Sequence, residues 1–199
     1  MKNIIILLSI LNVSICFSQI KSGVYDDGLH LAYNPKTNNY TGFYESYTGY
    51  DEETKESKFS CIFYIEGKSK SNQVEITTYY PLDKKDDIIN GKFQIIKPNQ
   101  IQIRLEEEHG GCWNVTHFND EPVNFEIQKE EKWIEIRYIN TPKAYFYSNK
   151  KESTKKKAYL IKGDVIYIDA VVGNWAHCLY YGKKTSEGWM KLNQLNTLN

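Results

Sequence analysis

Apolar and polar residues alternate with period two over most of this chain, and no window carries the 3.6-residue stripe of an amphipathic helix. The strongest strand signal is Phe59 to Glu66, a β-branched and aromatic run closed by Gly67. Shorter strand patterns cover Ser22 to Tyr25, Leu29 to Tyr33, Tyr40 to Tyr50 and Gln73 to Tyr80, the last stopped by Pro81. Asp26-Asp27-Gly28 and Asn34 to Asn39 have turn composition, and the charged run from Asp51 to Lys58 reads as a solvated loop. Phe93 to Ile96 is expected to pair with Ile101 to Glu107 across Lys97-Pro98-Asn99-Gln100. Val123 to Gln128 and Trp133 to Tyr138 are expected to form a further hairpin about Lys129 to Lys132. Eight or nine short strands with turns between them predict an all-β module, an antiparallel β-sandwich or barrel, over residues 19–140.

Ile101 to Phe118 concentrates the chemistry-bearing side chains. Ile103 and Leu105 continue the alternation begun at Ile101, and Gly110-Gly111 supplies residues suited to a tight turn. With His109-Gly110-Gly111 as the loop, Glu108 faces Cys112 and Leu105 faces Val115. Trp113, Val115 and His117 then share the apolar side, while Cys112 lies at the polar rim. Glu108, His109, Gly110, Gly111, Cys112, Trp113 and His117 are therefore candidate ligand- or partner-binding residues.

A second module is expected after Asn140-Thr141-Pro142, over residues 141–199. Its segments are Ala144 to Ser148, Ala158 to Asp164, Val165 to Ile168, Trp175 to Tyr181, and Gly188-Trp189-Met190, ending in Leu192 and Leu195. Across about 55 residues this resembles the bacterial SH3-like (SH3b) family. The resemblance implies a small five-stranded C-terminal β-barrel that binds peptide, often cell-wall peptide, or mediates contacts between domains. Gly163-Asp164 and Gly173-Asn174 fit its turns, and Trp189 after Gly188 fits a cap on its core. No acidic specificity loop of the kind that reads proline-rich ligands is present. Tyr145, Tyr147, Trp175 and Trp189 join the candidate binding residues. The Gly23-Val24-Tyr25 opening also resembles lipocalin-type barrels, which implies an up-and-down barrel with room for a small apolar ligand. The first module lacks an apolar set of the size such a cavity needs.

Composition sharpens this picture in three places. Lys2, the apolar run Ile4 to Ile15 and small residues at Cys16 and Ser18 have the layout of a signal peptide cut after Ser18, and the run is too short to span a bilayer comfortably. No transmembrane segment follows, so the chain is expected to be periplasmic or secreted. Charge is balanced overall but segregated: Gln19 to Ile139 holds 21 acidic and 14 basic residues, Asn140 to Asn199 four acidic and ten basic. Of the cysteines beyond the signal, Cys61 and Cys112 are the preferred disulfide, with a buried free Cys61 as the alternative.

Four chemistries are open to these residues. Zinc binding would draw on His109, Cys112 and His117 with Glu108 nearby, but the spacing is no known ligand framework. A Cys112–His109 thiolate–imidazole pair would stand beside glutamates that raise a thiol's pKa, in an oxidising compartment. Glu106, Glu107 and Glu108 cannot face one another across a substrate, because neighbours on a strand point to opposite sides. Binding is the fourth. The chain has 16 tyrosines, whose flat faces and polar tips suit interfaces, and lysine clusters at Lys150-Lys151 and Lys155 to Lys157. The sequence thus predicts a non-enzymatic, cofactor-free extracytoplasmic binding protein for a protein or peptidoglycan-type partner in the cell envelope, not nucleic acid. The alternatives are an inhibitor or immunity protein against a secreted toxin or hydrolase, and a hydrolase or metalloenzyme centred on Cys112, His109 and His117.

Overall fold

The computed structural model describes residues 20–69, 71–82 and 87–198, so the signal peptide expected at residues 1–18 lies outside the described residues. Eight strands form the first unit: β1 (Gly23–Tyr25), β2 (Leu29–Asn34), β3 (Asn39–Asp51), β4 (Glu56–Lys68), β5 (Gln73–Tyr79), β6 (Ile89–Lys97), β7 (Gln100–Leu105) and β8 (Val123–Glu130). Each is antiparallel to the next, and β1 pairs with β8 at Gly23↔Glu130 and Val24↔Lys129, which closes an up-and-down barrel. A barrel of this strand number encloses a space that side chains can fill. Here the inward positions carry Leu29, Leu31, Tyr44, Phe63, Ile65, Phe93 and Ile103, all buried in one cluster. Aromatic rings interlock within it, Tyr44 against Phe63 at 5.0 Å and Phe118 against Phe125 at 6.2 Å. Gly42 lies between Leu31 and Ile65 on the barrel wall. A Cβ there would come within 2.8 Å of Leu31 and 2.9 Å of the His30 carbonyl, so only glycine lets the strands close up.

The second unit is a six-stranded sheet in the order β11-β10-β14-β13-β12-β9. Its strands are β9 (Glu135–Tyr138), β10 (Lys143–Tyr147), β11 (Lys155–Ile161), β12 (Val165–Val172), β13 (Trp175–Tyr181) and β14 (Thr185–Lys191). The expectation of a C-terminal SH3-like barrel is overturned, because this sheet does not close. The reason lies at its edge. Glu135–Tyr138 does not fold back on β8 as a hairpin; it pairs with β12 from Ile168↔Glu135 to Val165↔Tyr138. That edge strand is also fastened to the outside of the barrel. The Ile136 amide donates to Thr41 Oγ1 at 2.7 Å, and the Tyr64 hydroxyl donates to the Ile136 carbonyl at 2.5 Å. An edge spent on the barrel wall is not free to meet β11.

The two faces of this sheet differ. Phe146, Leu160, Ile166, Ile168, Cys178 and Met190 form its own core with Ile139 and Leu195. Cys178 is the free cysteine among the described residues, and burial pushes its thiol pKa up. Trp189 does not cap this core. It alternates with buried Met190 and points to the other face.

On that other face, Ile136, Tyr138 and Tyr167 bury the barrel's outer residues Ala32, Tyr64 and Tyr79 together with Trp133. Polar groups are paired across this junction. The Tyr79 hydroxyl donates to Glu66 at 2.5 Å, and Asn196 accepts the Tyr138 amide at 3.0 Å through Oδ1 while its Nδ2 reaches Glu66 at 3.4 Å. Burial drives the ionisation of Tyr64 and Tyr79 upward, so both remain neutral donors. Replacing Asn196 by alanine leaves the Tyr138 amide unpaired and takes one donor from Glu66. Urea unfolding should show a loss of about 2 kcal/mol, whereas an unchanged midpoint would mean that the contact is not part of the junction's stability.

Candidate functional site

Ile101 to Phe118 is not a hairpin. After Leu105 the chain leaves the sheet and crosses the end of the barrel as a loop, returning as β8 only at Val123. The Leu105 amide donates to the Phe118 carbonyl at 3.0 Å, and the Asn119 amide donates to Glu108 Oε1 at 2.8 Å. Between them a short 3-10 turn spans Cys112–Asn114. Cys61 and Cys112 form a disulfide, which fastens this turn to β4.

These anchors reverse the inside and outside assignments drawn from an alternating strand. Cys112 and Phe118 are fully buried, Trp113 is 59% exposed, and the His117 side chain is exposed near Asp120 at 3.6 Å. Val115 alone keeps its expected side, packed partly against the barrel core. Gly110 stands clear of its surroundings, but a Cβ on Gly111 would lie 2.3 Å from the Ser60 carbonyl, so glycine there lets the loop lie flat on β4.

His109 is drawn into the barrel end, stacked on Phe63 with ring centroids 5.0 Å apart. Its Nδ1 lies 3.0 Å from Asp87 Oδ2 and its Nε2 lies 2.8 Å from Thr78 Oγ1. Desolvation lowers its pKa against the opposing pull of Asp87, and each ring nitrogen has a polar partner within hydrogen-bond reach. An acid, an imidazole and a hydroxyl in line are the parts of a nucleophilic relay. Thr78 is fully buried, however, and its hydroxyl is also 3.1 Å from the Ile89 carbonyl. The line of three groups pins the loop rather than presenting a nucleophile. Cys112, held as a disulfide, offers no thiolate, and no group of three His, Cys, Asp or Glu side chains converges as a metal site among the described residues.

The second set of candidates behaves differently. Tyr145, Tyr147, Trp175 and Trp189 lie on the sheet face opposite the Phe146 core, in a band that runs across four strands. Tyr147 is cross-strand neighbour to Trp189, and Trp189 to His177. Tyr147 meets Trp175 edge-on at 5.0 Å, Trp189 meets His177 at 5.3 Å, and Tyr145 meets Tyr159 at 5.5 Å. Lysines stand over these rings: Lys155 3.5 Å from the Tyr145 centroid, Lys143 4.5 Å from Tyr159, Lys150 5.0 Å from Trp189 and Lys191 6.0 Å from Trp175. Lys191 also pairs with Glu152 at 2.6 Å, beside a cleft of about 590 Å³ lined by Trp175, Asn174 and Asn193. Lys143, Lys150 and Lys155 have no carboxylate partner among the described residues.

Sequence reasoning missed Tyr159, Lys143 and Lys191 as members of this band. The Lys155 to Lys157 cluster opens β11. Alternation in Lys155-Lys156-Lys157-Ala158-Tyr159 held the signal, and only its pairing with β10 brings Tyr159 beside Tyr145. Thr78 and Asp87 could not have been linked to His109 without the barrel's closure.

No protein-family model, curated protein or solved structure matches this chain. Among the described residues, no helix is long and apolar enough to cross a membrane.

One outcome follows from the loop's anchoring and a second from the buried histidines. The Cys61–Cys112 bridge closes a 51-residue separation, for which the chain-entropy account gives about 4 kcal/mol. Reduction, or Cys61→Ala with Cys112→Ala, should lower unfolding free energy by roughly that amount; a change under about 1 kcal/mol would contradict the account. Burial also lowers the pKa of His30, which lies between Trp133 and Tyr167. A lowered folded-state pKa means the unfolded chain binds the proton more readily, so stability is complete above the ordinary histidine value and falls as pH drops below it. Melting curves taken between pH 7.5 and 5 should show this decline, and His109→Gln should flatten it in part. A stability that rises on acidification over that interval would have the wrong sign.

Proposed function

We propose that this chain is an extracytoplasmic protein that works by binding, and that the lysine–aromatic band of its second sheet holds a carboxylate-bearing, peptidoglycan-type polymer of the cell envelope. The observation that carries this reading is the placement of Lys143, Lys150 and Lys155 over aromatic rings without carboxylate partners. An ammonium docked on a ring gains about 0.5–1 kcal/mol at an exposed site. It is thereby held in position before a ligand arrives, which reduces the ordering cost of binding. Carboxylates of a wall peptide would meet these ammonium groups, while Trp175 and Trp189 offer flat apolar surface to the sugar backbone between them.

Export is supported by the signal-like layout of residues 1–18 and by the disulfide, which persists in oxidising compartments. The loop at the barrel end is spent on anchoring, with its cysteine oxidised and its buried histidine committed to Asp87 and Thr78. Its chemistry supports the binding reading over a hydrolase.

Sedimentation of the purified protein with isolated sacculi tests this. Co-pelleting that weakens with added salt is expected. Lys143→Ala with Lys155→Ala should reduce it about tenfold, the effect of roughly 0.7 kcal/mol at each site. Protein that stays in the supernatant at low salt, or variants that pellet like the parent, would overturn the assignment and leave a protein partner for this face.

A further inference from the structure

We propose a second binding surface at the opposite pole of charge: an acidic, aromatic groove on the overhanging end of the β3–β4 hairpin that takes a lysine- or arginine-rich segment of a protein partner. Both strands run past the barrel. β2 pairs with β3 only as far as Leu29↔Tyr44, and β5 pairs with β4 only from Tyr64↔Tyr79 onward, yet β3 and β4 stay paired out to Asp51↔Glu56. Of this segment, expected to be a solvated loop from Asp51 to Lys58, residues 52–55 are a turn, while Asp51 ends β3 and Glu56 to Lys58 open β4.

The register Thr48↔Phe59 and Tyr50↔Ser57 puts Tyr50, Phe59 and Cys61 on one side of the arm. On that side the capping loop is fixed twice, by the Cys61–Cys112 bridge and by Thr48 Oγ1 donating to the Asn114 carbonyl at 2.7 Å. Trp113 lies between those two anchors. Tyr50 is 61% exposed, Trp113 59% and Phe59 41%, a large apolar display to leave in water beside one short loop. The arm from Cys61 to Glu56 extends about 17 Å at the usual strand rise, the length of about five extended residues.

Charge selects the occupant. Glu53 in the turn at the tip has no cationic partner among the described residues, and Asp120 pairs with His117, which meets Trp113 at 5.5 Å. Residues 106–122 of the capping loop contain five acidic residues and no lysine or arginine. Exposed rings bordered by carboxylates recognise cations twice over, through the ring faces and through ion pairs. The partner is thus a basic protein segment, and the disulfide keeps both walls of its groove in place.

The probe is a fluorescently labelled peptide of alternating lysine and leucine, with glutamate–leucine and glutamine–leucine peptides of the same length as controls, titrated against the full chain. The lysine peptide should bind at least about tenfold more tightly than either control, and lose affinity as salt rises. Tyr50→Ala with Trp113→Ala should cost about tenfold or more in affinity without moving the unfolding midpoint, since both side chains are exposed. Lys143→Ala with Lys155→Ala, on the other sheet, should leave it unchanged, which separates this surface from the envelope-binding face. Equal binding of the three peptides, absence of binding, or indifference to the Tyr50 and Trp113 substitutions overturns the proposal. So does self-association of the chain that those substitutions abolish, because the occupant would then be a second copy.

Discussion

Burial of the barrel's outer wall beneath β9 and β12 is the constraint from which the rest of the architecture follows. Ala32, Tyr64 and Tyr79 would face solvent in an isolated barrel, and Ile136, Tyr138 and Tyr167 would do so in an isolated sheet. Joined, they exclude water around a polar network that has partners on both sides: Thr41 and Tyr64 on Ile136, Glu66 on Tyr79 and Asn196. Each of those groups would be costly to bury alone. The same contact explains why the sheet stays open, because one of its edges is occupied with the barrel.

That arrangement also sets what remains exposed. Strands β10, β11, β13 and β14 extend beyond the junction and display lysines over aromatic rings, while the far end of the barrel displays rings among carboxylates. Tyrosine serves both purposes. Tyr25, Tyr44, Tyr64 and Tyr79 are fully buried, with hydroxyls that find partners such as Lys21 carbonyl and Thr116, whereas Tyr50 and Tyr159 remain largely open. The segregation of charge along the chain thus has a spatial counterpart in two surfaces of opposite sign on one body.

Much of this was legible from local pattern. Phe59 to Glu66 and Ile101 to Leu105 are strands because alternation on a half-buried wall is a local property, and the partnership of Phe93 to Ile96 with Ile101 onward needed only the turn between them. Errors arose where a distant contact decided the outcome. Residues 106–118 have strand-like spacing but are claimed by Cys61, Thr78 and Asp87, none of which is near in sequence. Glu135–Tyr138 looks like the return limb of a hairpin, yet its partner β12 lies some thirty residues further on. The segments that resemble an SH3-like module are strands, but closure depends on an edge that the resemblance could not report. Trp189 was assigned to the wrong face for a similar reason: its neighbour Met190 takes the core position.

The barrel and the sheet behave as one cooperative unit. Differential scanning calorimetry of the oxidised protein addresses this most directly, because a shared hydrophobic and hydrogen-bonded junction couples the melting of both parts. A single transition is predicted, with calorimetric and van't Hoff enthalpies equal within error. Two resolved transitions, the barrel melting apart from the sheet, would contradict it.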